Sequence, residues 1–119
     1  MSEKSEFGEE LAARHLTGQG YRIAERNWRA GKAGEVDIIA YDGPVLAFVE
    51  VKTRFDDSFG QPQSAITRGK QRQMALVAKR YLYQQELYGT VDCRFDVVAV
   101  TFDQGQPHIE LIKDAFRPC

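Results

Sequence analysis

Two acids and a lysine, each set in a short apolar run, are the residues best able to do chemistry. Asp37 lies within Glu35-Val36-Asp37-Ile38-Ile39-Ala40-Tyr41, and Glu50-Val51-Lys52 closes the run Val45-Leu46-Ala47-Phe48-Val49. Carboxylates facing each other across a β ladder at roughly 5 Å repel. A divalent cation removes that penalty, and Mg²⁺ takes a few carboxylates while keeping part of its water. Lys52 follows Glu50 on the same strand face, roughly 6 Å further along. Its ammonium can reach back over a shared site, orient or help deprotonate an attacking water, and counter charge on a phosphorane-like transition state. The carbonyl of Val51 is a further candidate ligand. The chemistry this set could perform is phosphodiester hydrolysis with Mg²⁺ or Mn²⁺ as cofactor. The spacing alone is common. The other reading is an exposed strand end carrying an ordinary Glu-Lys pair.

The elements that must position these groups can be read from periodicity. Glu35 to Tyr41 and Val45 to Thr53 are expected strands joined at Asp42-Gly43-Pro44. In the second, Val45, Ala47, Val49 and Val51 point one way, and Leu46, Phe48, Glu50 and Lys52 the other. Both faces begin apolar, as in a central strand covered on both sides. A tight turn sets Tyr41 opposite Leu46 and Asp37 opposite Glu50. A shift of two residues keeps the faces together, whereas a shift of one separates them.

Elsewhere, helices are expected from Phe7 to about Thr17 and from a cap at Ser64 or Thr67 to about Leu87, ended by Gly89. Strands are expected over Tyr21–Trp28, with imperfect alternation, over Arg94–Phe102, and over His108–Ile112 at an edge. Gly31-Lys32-Ala33-Gly34 reads as a flexible connection and residues 55 to 63 as a polar loop. The order is αβββαββ, one α/β domain over residues 1–119.

Both helices carry candidates. Ala12, Ala13 and Leu16 follow Glu9 by three, four and seven residues, which puts this acid on a small-residue face from which it could meet the cation directly or through water. The alternative makes Phe7 and Leu11 the buried face and leaves Glu9 solvated. Gln71 shares a face with Met74, Ala75, Ala78 and Leu82, as an amide closing over the site or as a buried structural group. Lys70 flanks that face. Arg68, Arg72 and Lys79 line one side of the helix, as phosphate contacts or as a solvated flank. Lys32 and Arg54 are further candidate nucleic-acid contacts. His15 and His108 have no ligand-like companions. Cys93 is expected in the core, Cys119 at the chain end, and Tyr21 and Trp28 in packing roles.

Composition excludes several classes. Apolar residues make up 43% of the 119, with no run near the length of a membrane span. Two cysteines without metal-ligand spacing argue against a disulfide scaffold and for a reducing cytoplasm. The polar, acidic start does not resemble an export signal. Net charge is −1, yet Lys52 to Arg80 holds seven basic residues against Asp56 and Asp57. A basic patch can therefore exist on a nearly neutral protein.

Several blocks together resemble the bacterial YraN-like family: Gly8-Glu9-Glu10-Leu11-Ala12, Gly20-Tyr21-Arg22-Ile23, Asn27-Trp28-Arg29, Gly34 to Ala40, Phe48 to Arg54, Lys70-Gln71-Arg72 and Arg94 to Val98. That family is in turn similar to restriction-endonuclease-like nucleases, particularly archaeal Holliday-junction resolvases. The resemblance implies a restriction-endonuclease-like core, a mixed central sheet flanked by helices. It implies metal ligation by Asp37 and Glu50, catalysis by Lys52, the first-helix acid at Glu9 and the second-helix polar residue at Gln71. It further implies DNA, branched DNA included, as partner, with RNA a further candidate, and a homodimer. The chain departs from the resolvases in lacking their strong positive charge.

Overall fold

The computed structural model describes residues 3–55 and 66–117, with side chains from Glu6 onward. Helix α1 spans Glu3–Gly18. Strands β1 (Arg22–Arg29), β2 (Glu35–Asp42) and β3 (Val45–Arg54) follow, then helix α2 (Arg68–Gln84) and strands β4 (Cys93–Asp103) and β5 (Gln106–Ile112). The order differs from αβββαββ in one respect. Gly31–Ala33, read as a flexible connection, is a 3-10 turn, closed by an Ala33 N–H to Ala30 carbonyl bond. The expected loop over residues 55 to 63 and the alternative cap at Ser64 fall largely outside the described residues, as does Cys119.

The strands form one five-stranded sheet in chain order, β1-β2-β3-β4-β5. Every neighbouring pair is antiparallel except β3 and β4, which are parallel. Parallel neighbours need a long crossover rather than a hairpin, and α2 lies in that crossover. At the β2–β3 hairpin Asp42 pairs with Val45 and Tyr41 with Leu46. Gly43 has φ 59, so the positive φ falls at the first of two turn residues and Pro44 takes the second, an arrangement that fits a type II′ turn. The imperfect alternation of β1 has a physical cause, since its register against β2 shifts between Ile23 and Glu25.

The sheet is covered on both faces, as the double apolar pattern of β3 requires. Ala12, Ala13 and Leu16 of α1 pack on Ile38, Ala40, Ala47, Val49, Val98 and Val100. Met74, Val77, Ala78, Tyr81 and Leu82 of α2 pack on Val36, Ile39, Leu46, Phe48 and Val97. Thr67 caps α2 by accepting from the Lys70 N–H at 3.1 Å. The helix ends at Gln84, short of Leu87, because Glu86 takes the left-handed φ of 58 and the Leu87 N–H closes back on the Leu82 carbonyl.

Cys93, expected in the core, is exposed. It begins β4, at the end of the sheet, level with Leu46 of β3. Tyr21 and Trp28 pack as expected: Trp28 meets Tyr81 edge-on at 5.1 Å, and Tyr21 is 3% exposed. Among the described residues no helix is long and apolar enough to cross a membrane.

Candidate functional site

The sheet carries two groups of buried acids, and they are treated differently. On the face toward α1, Asp96, level with Val49 of β3, is fully buried and fully partnered. It accepts from Tyr21 Oη at 2.8 Å, from Arg94 Nε and Nη2 at 2.8 and 2.9 Å, and from the Asp114 N–H at 2.9 Å. Arg94 also donates to Asp42, which Lys113 joins at 3.0 Å. The Arg94 hydrogen bond, then that of Lys113, holds Asp42 below the usual carboxylate range. Burial and Asp96 push the Tyr21 phenol up. This is a satisfied network of the kind that stabilises a core.

The second group, around Glu50 one residue further along the sheet, is under-compensated. Asp37 sits at the start of β2, and its Oδ2 accepts the Val51 N–H at 2.8 Å. Glu50, 5% exposed, comes within hydrogen-bonding reach of the Asp37 carboxyl. Burial chiefly, then the charge of Asp37 and the contact with it, push the Glu50 carboxyl up to about 7 against the pull of Lys70 and Lys52. Two carboxyls in hydrogen-bonding contact must share a proton or a cation. The ammoniums stand off, with Lys70 Nζ at 3.6 Å and Lys52 Nζ at 3.8 Å, both from Glu50 Oε2.

Glu9 enters the same cleft from α1. The helix approaches the end of β3 so closely at Gly8 that a Cβ there would land on Thr53 Oγ1. Glu9 is 6% exposed, and its Oε1 is buried without a hydrogen-bond partner. Burial first, then Asp37 and Glu35, raise its pKa, with Arg26 opposing. Of the two readings of α1, the small-residue face is the buried one, and Phe7 is 54% exposed.

Glu9, Asp37, Glu50, Val51, Lys52, Thr53 and Lys70 line one cleft of about 310 Å³. An orphaned buried carboxylate oxygen, two carboxyls in contact and an all-oxygen donor set fit a hard divalent cation such as Mg²⁺ or Mn²⁺. Asp37, Glu50 and the Val51 carbonyl are the groups that would hold it. Among the described residues, no three His, Cys, Asp or Glu side chains are drawn into a ready ligand cluster. Glu9 therefore lines the cleft without completing a three-carboxylate shell.

Several expected site residues lie elsewhere. Gln71 does not line the cleft; its Nε2 donates to the Ile66 carbonyl at 3.1 Å, a structural role at the start of α2. Lys70 takes the place foreseen for it. The buried stripe of α2 is Met74, Val77, Ala78, Tyr81 and Leu82, which holds Met74, Ala78 and Leu82 of the expected run and extends by Val77 and Tyr81 to the side on which Lys70 lies. Arg68, Arg72 and Lys79 are exposed on the opposite side of α2, facing away from the sheet. Lys32 is exposed in the 3-10 turn, and Arg54, part-buried at the end of β3, makes contacts of its own. His15 and His108 are outside the cleft. Thr53 and Gly8 were not legible as site residues, because their importance is the approach of one backbone to another.

Comparison with known proteins gives a consistent picture. The model described as "Uncharacterised protein family UPF0102" matches residues 8–100. A "UPF0102 protein" of Rhodococcus opacus (strain B4) is 48% identical over 110 residues, covering 92% of each chain. One from Clostridium perfringens (strain SM101 / Type A) is 42% identical over 113 residues, covering 93% of this chain and 91% of its own. One from Geotalea daltonii is 49% identical over 112 residues, covering 93% and 87%.

Proposed function

This chain belongs to the uncharacterised family UPF0102, the YraN-like family its motif blocks resemble, and we propose that it is a metal-dependent endonuclease that hydrolyses phosphodiester bonds of structured or branched DNA. The fold reading that accompanies this is a restriction-endonuclease-like core. It is supported by a mixed sheet with a helix on each face and by an acid and a Glu-x-Lys on adjacent strands.

The observation that carries the proposal is the contrast between the two groups of buried acids in the sheet. Asp96 is buried with every charge answered, whereas Glu50 and Asp37 are pressed together and Glu9 Oε1 has no partner. Uncompensated buried charge is costly and clusters where a site must bind or react. A divalent cation held by Asp37, Glu50 and the Val51 carbonyl would supply Lewis acidity and charge neutralisation at a phosphate.

The chain's own residues have separable roles. Asp37 is aimed by the Val51 N–H. Lys52 orients the water that attacks phosphorus and offsets charge as the P–O ester bond breaks and the leaving oxygen takes up a proton. Lys70 holds a non-bridging phosphate oxygen. Glu9 closes the cleft on the α1 side and receives a proton through water. Burial against both helices keeps the local dielectric low, which strengthens each of these interactions.

The deciding experiment is cleavage of branched, duplex and single-stranded DNA by purified protein with Mg²⁺, Mn²⁺ or EDTA. Metal-dependent cutting that disappears in D37N and K52A supports the proposal. Inactivity of the wild type on all substrates, or undiminished cutting by those variants, ends it. A second reading has two observations in its favour: both ammoniums already face Glu50, and among the described residues no three-acid cluster is formed. On that reading the chain is a non-catalytic nucleic-acid or protein-binding module on the same fold, whose DNA binding survives D37N.

A further inference from the structure

Beside the cleft lies a second concave surface, about 440 Å³, lined by Phe7, Phe55, Phe102, Gln104 and Gly105. The Phe102 ring is nearly parallel to both others, at 5.9 Å and 22° from Phe7 and at 5.7 Å and 18° from Phe55. Phe7 and Phe55 are 54% and 56% exposed. Large aromatic surfaces left to water in a contiguous group mark binding sites more often than accidents. These rings are carried by the segments that build the cleft. Phe7 stands two residues before Glu9 on α1, and Phe55 three residues after Lys52, about 10 Å of extended chain. The two segments meet where Gly8 touches Thr53.

We propose that Phe7, Phe55 and Phe102 form a stacking platform for an unpaired base of the DNA strand whose phosphate occupies the carboxylate–lysine cleft. The substrate class is then DNA with a single-stranded or frayed segment rather than uninterrupted duplex. The phosphate half of this statement rests on the nuclease reading above; the platform does not.

Three observations select a base over other occupants. Near-parallel rings, two of them more than half exposed, offer π surface to any base, and such stacking is tolerant of sequence. The exposed parts of two phenylalanines amount to a few hundred Å² at most, well under the roughly 800 Å² per partner that a stable protein interface buries. The cavity is of small-ligand size, with the Gln104 amide and the Gly105 backbone at its rim able to meet a base edge. Lys52 and Lys70 in the adjoining cleft, together with the cation its acids would hold, would complement the phosphates that must accompany the base.

The test is equilibrium binding of a fluorescent single-stranded decanucleotide and of a blunt duplex of the same sequence, in EDTA so that nothing is cut. Wild type, F7L/F55L and F7W are compared, and a second oligonucleotide carries abasic positions. Leucine keeps apolar bulk and removes the π face. The platform predicts single-strand affinity about tenfold or more lower in F7L/F55L, retained in F7W, and equally lowered by abasic positions, with duplex binding unchanged. Equal affinities of wild type and F7L/F55L for the single strand, or indifference to abasic positions, overturn it. Both changes are at exposed side chains, and circular dichroism verifies folding. A platform effect in a protein that never cuts DNA upholds this inference and removes the nuclease reading; cutting without a platform effect does the reverse.

Discussion

Lys70 Nζ, at the first turn of α2, lies 3.6 Å from Glu50 Oε2 near the end of β3, and it is 31% exposed while Glu50 is nearly sealed. The helix cap makes this contact possible. Thr67 fixes the start of α2, and the buried stripe of Met74, Val77 and Tyr81 turns Lys70 toward the sheet. Two ammoniums thus share one carboxylate oxygen with Asp37 pressing from the other side.

K70Q should separate metal binding from catalysis. Removing one cation that competes for Glu50 raises Mn²⁺ affinity a few-fold at pH 8, read by calorimetry. Losing a phosphate-holding donor lowers the cleavage rate about tenfold to a hundredfold. Unchanged Mn²⁺ affinity together with unchanged rate would place Lys70 outside the machinery.

The pH dependence of stability follows from Glu50. Its folded-state pKa is raised from 4.5 to about 7, so between those values the native state holds a proton that the unfolded state has released. Stability therefore falls as pH rises through that window, and Glu9, also raised, acts in the same direction. Thermal unfolding in EDTA at pH 5 and pH 8 should show this contribution as a loss at the higher pH. Mn²⁺ should reverse it at pH 8, since a cation favours the ionised pair. A metal-free slope that E50Q leaves unaltered would remove Glu50 as its source.

E50Q itself should stabilise the metal-free protein at pH 8 by about 1–3 kcal/mol, because it deletes a buried charge facing Asp37, while abolishing Mn²⁺ binding. Urea denaturation measures the first effect and calorimetry the second. Destabilisation by E50Q would mean that Lys52 and Lys70 already compensate the charge in full.

R94M is the matching variant in the satisfied network. It leaves Asp96 buried and short of its cation, a loss of about 3–5 kcal/mol, yet the cleft, which neither Arg94 nor Asp96 lines, keeps its Mn²⁺ affinity. Weakened metal binding in folded R94M would show that the two groups of acids are coupled.

G8A places a Cβ against Thr53 Oγ1 and should cost about 1–3 kcal/mol. T53A removes the obstructing hydroxyl, so the double variant G8A/T53A should recover much of the loss in a double-mutant cycle. Purely additive effects would mean that the helix and strand do not constrain each other there.

Much of this arrangement is legible in local sequence. The two-residue period of Val45 to Lys52 defines which side chains share a face, and Gly43-Pro44 sets the hairpin register that brings Asp37 toward Glu50. The small residues Ala12, Ala13 and Leu16 mark the buried side of α1 and carry Glu9 with it. These features depend on alternation, turn chemistry and helical spacing, all of which act over a few residues. The roles of Gln71 and Lys70 do not. Neighbouring polar residues on one helix differ by a rotation of 100°, and only the packing of the whole buried stripe of α2 on the sheet decides which of them faces Glu50. The exposure of Cys93, the Gly8–Thr53 approach, and the meeting of three phenylalanines from α1, the end of β3 and β4 are likewise tertiary. Each depends on how elements distant in the chain cross, and no local periodicity encodes a crossing.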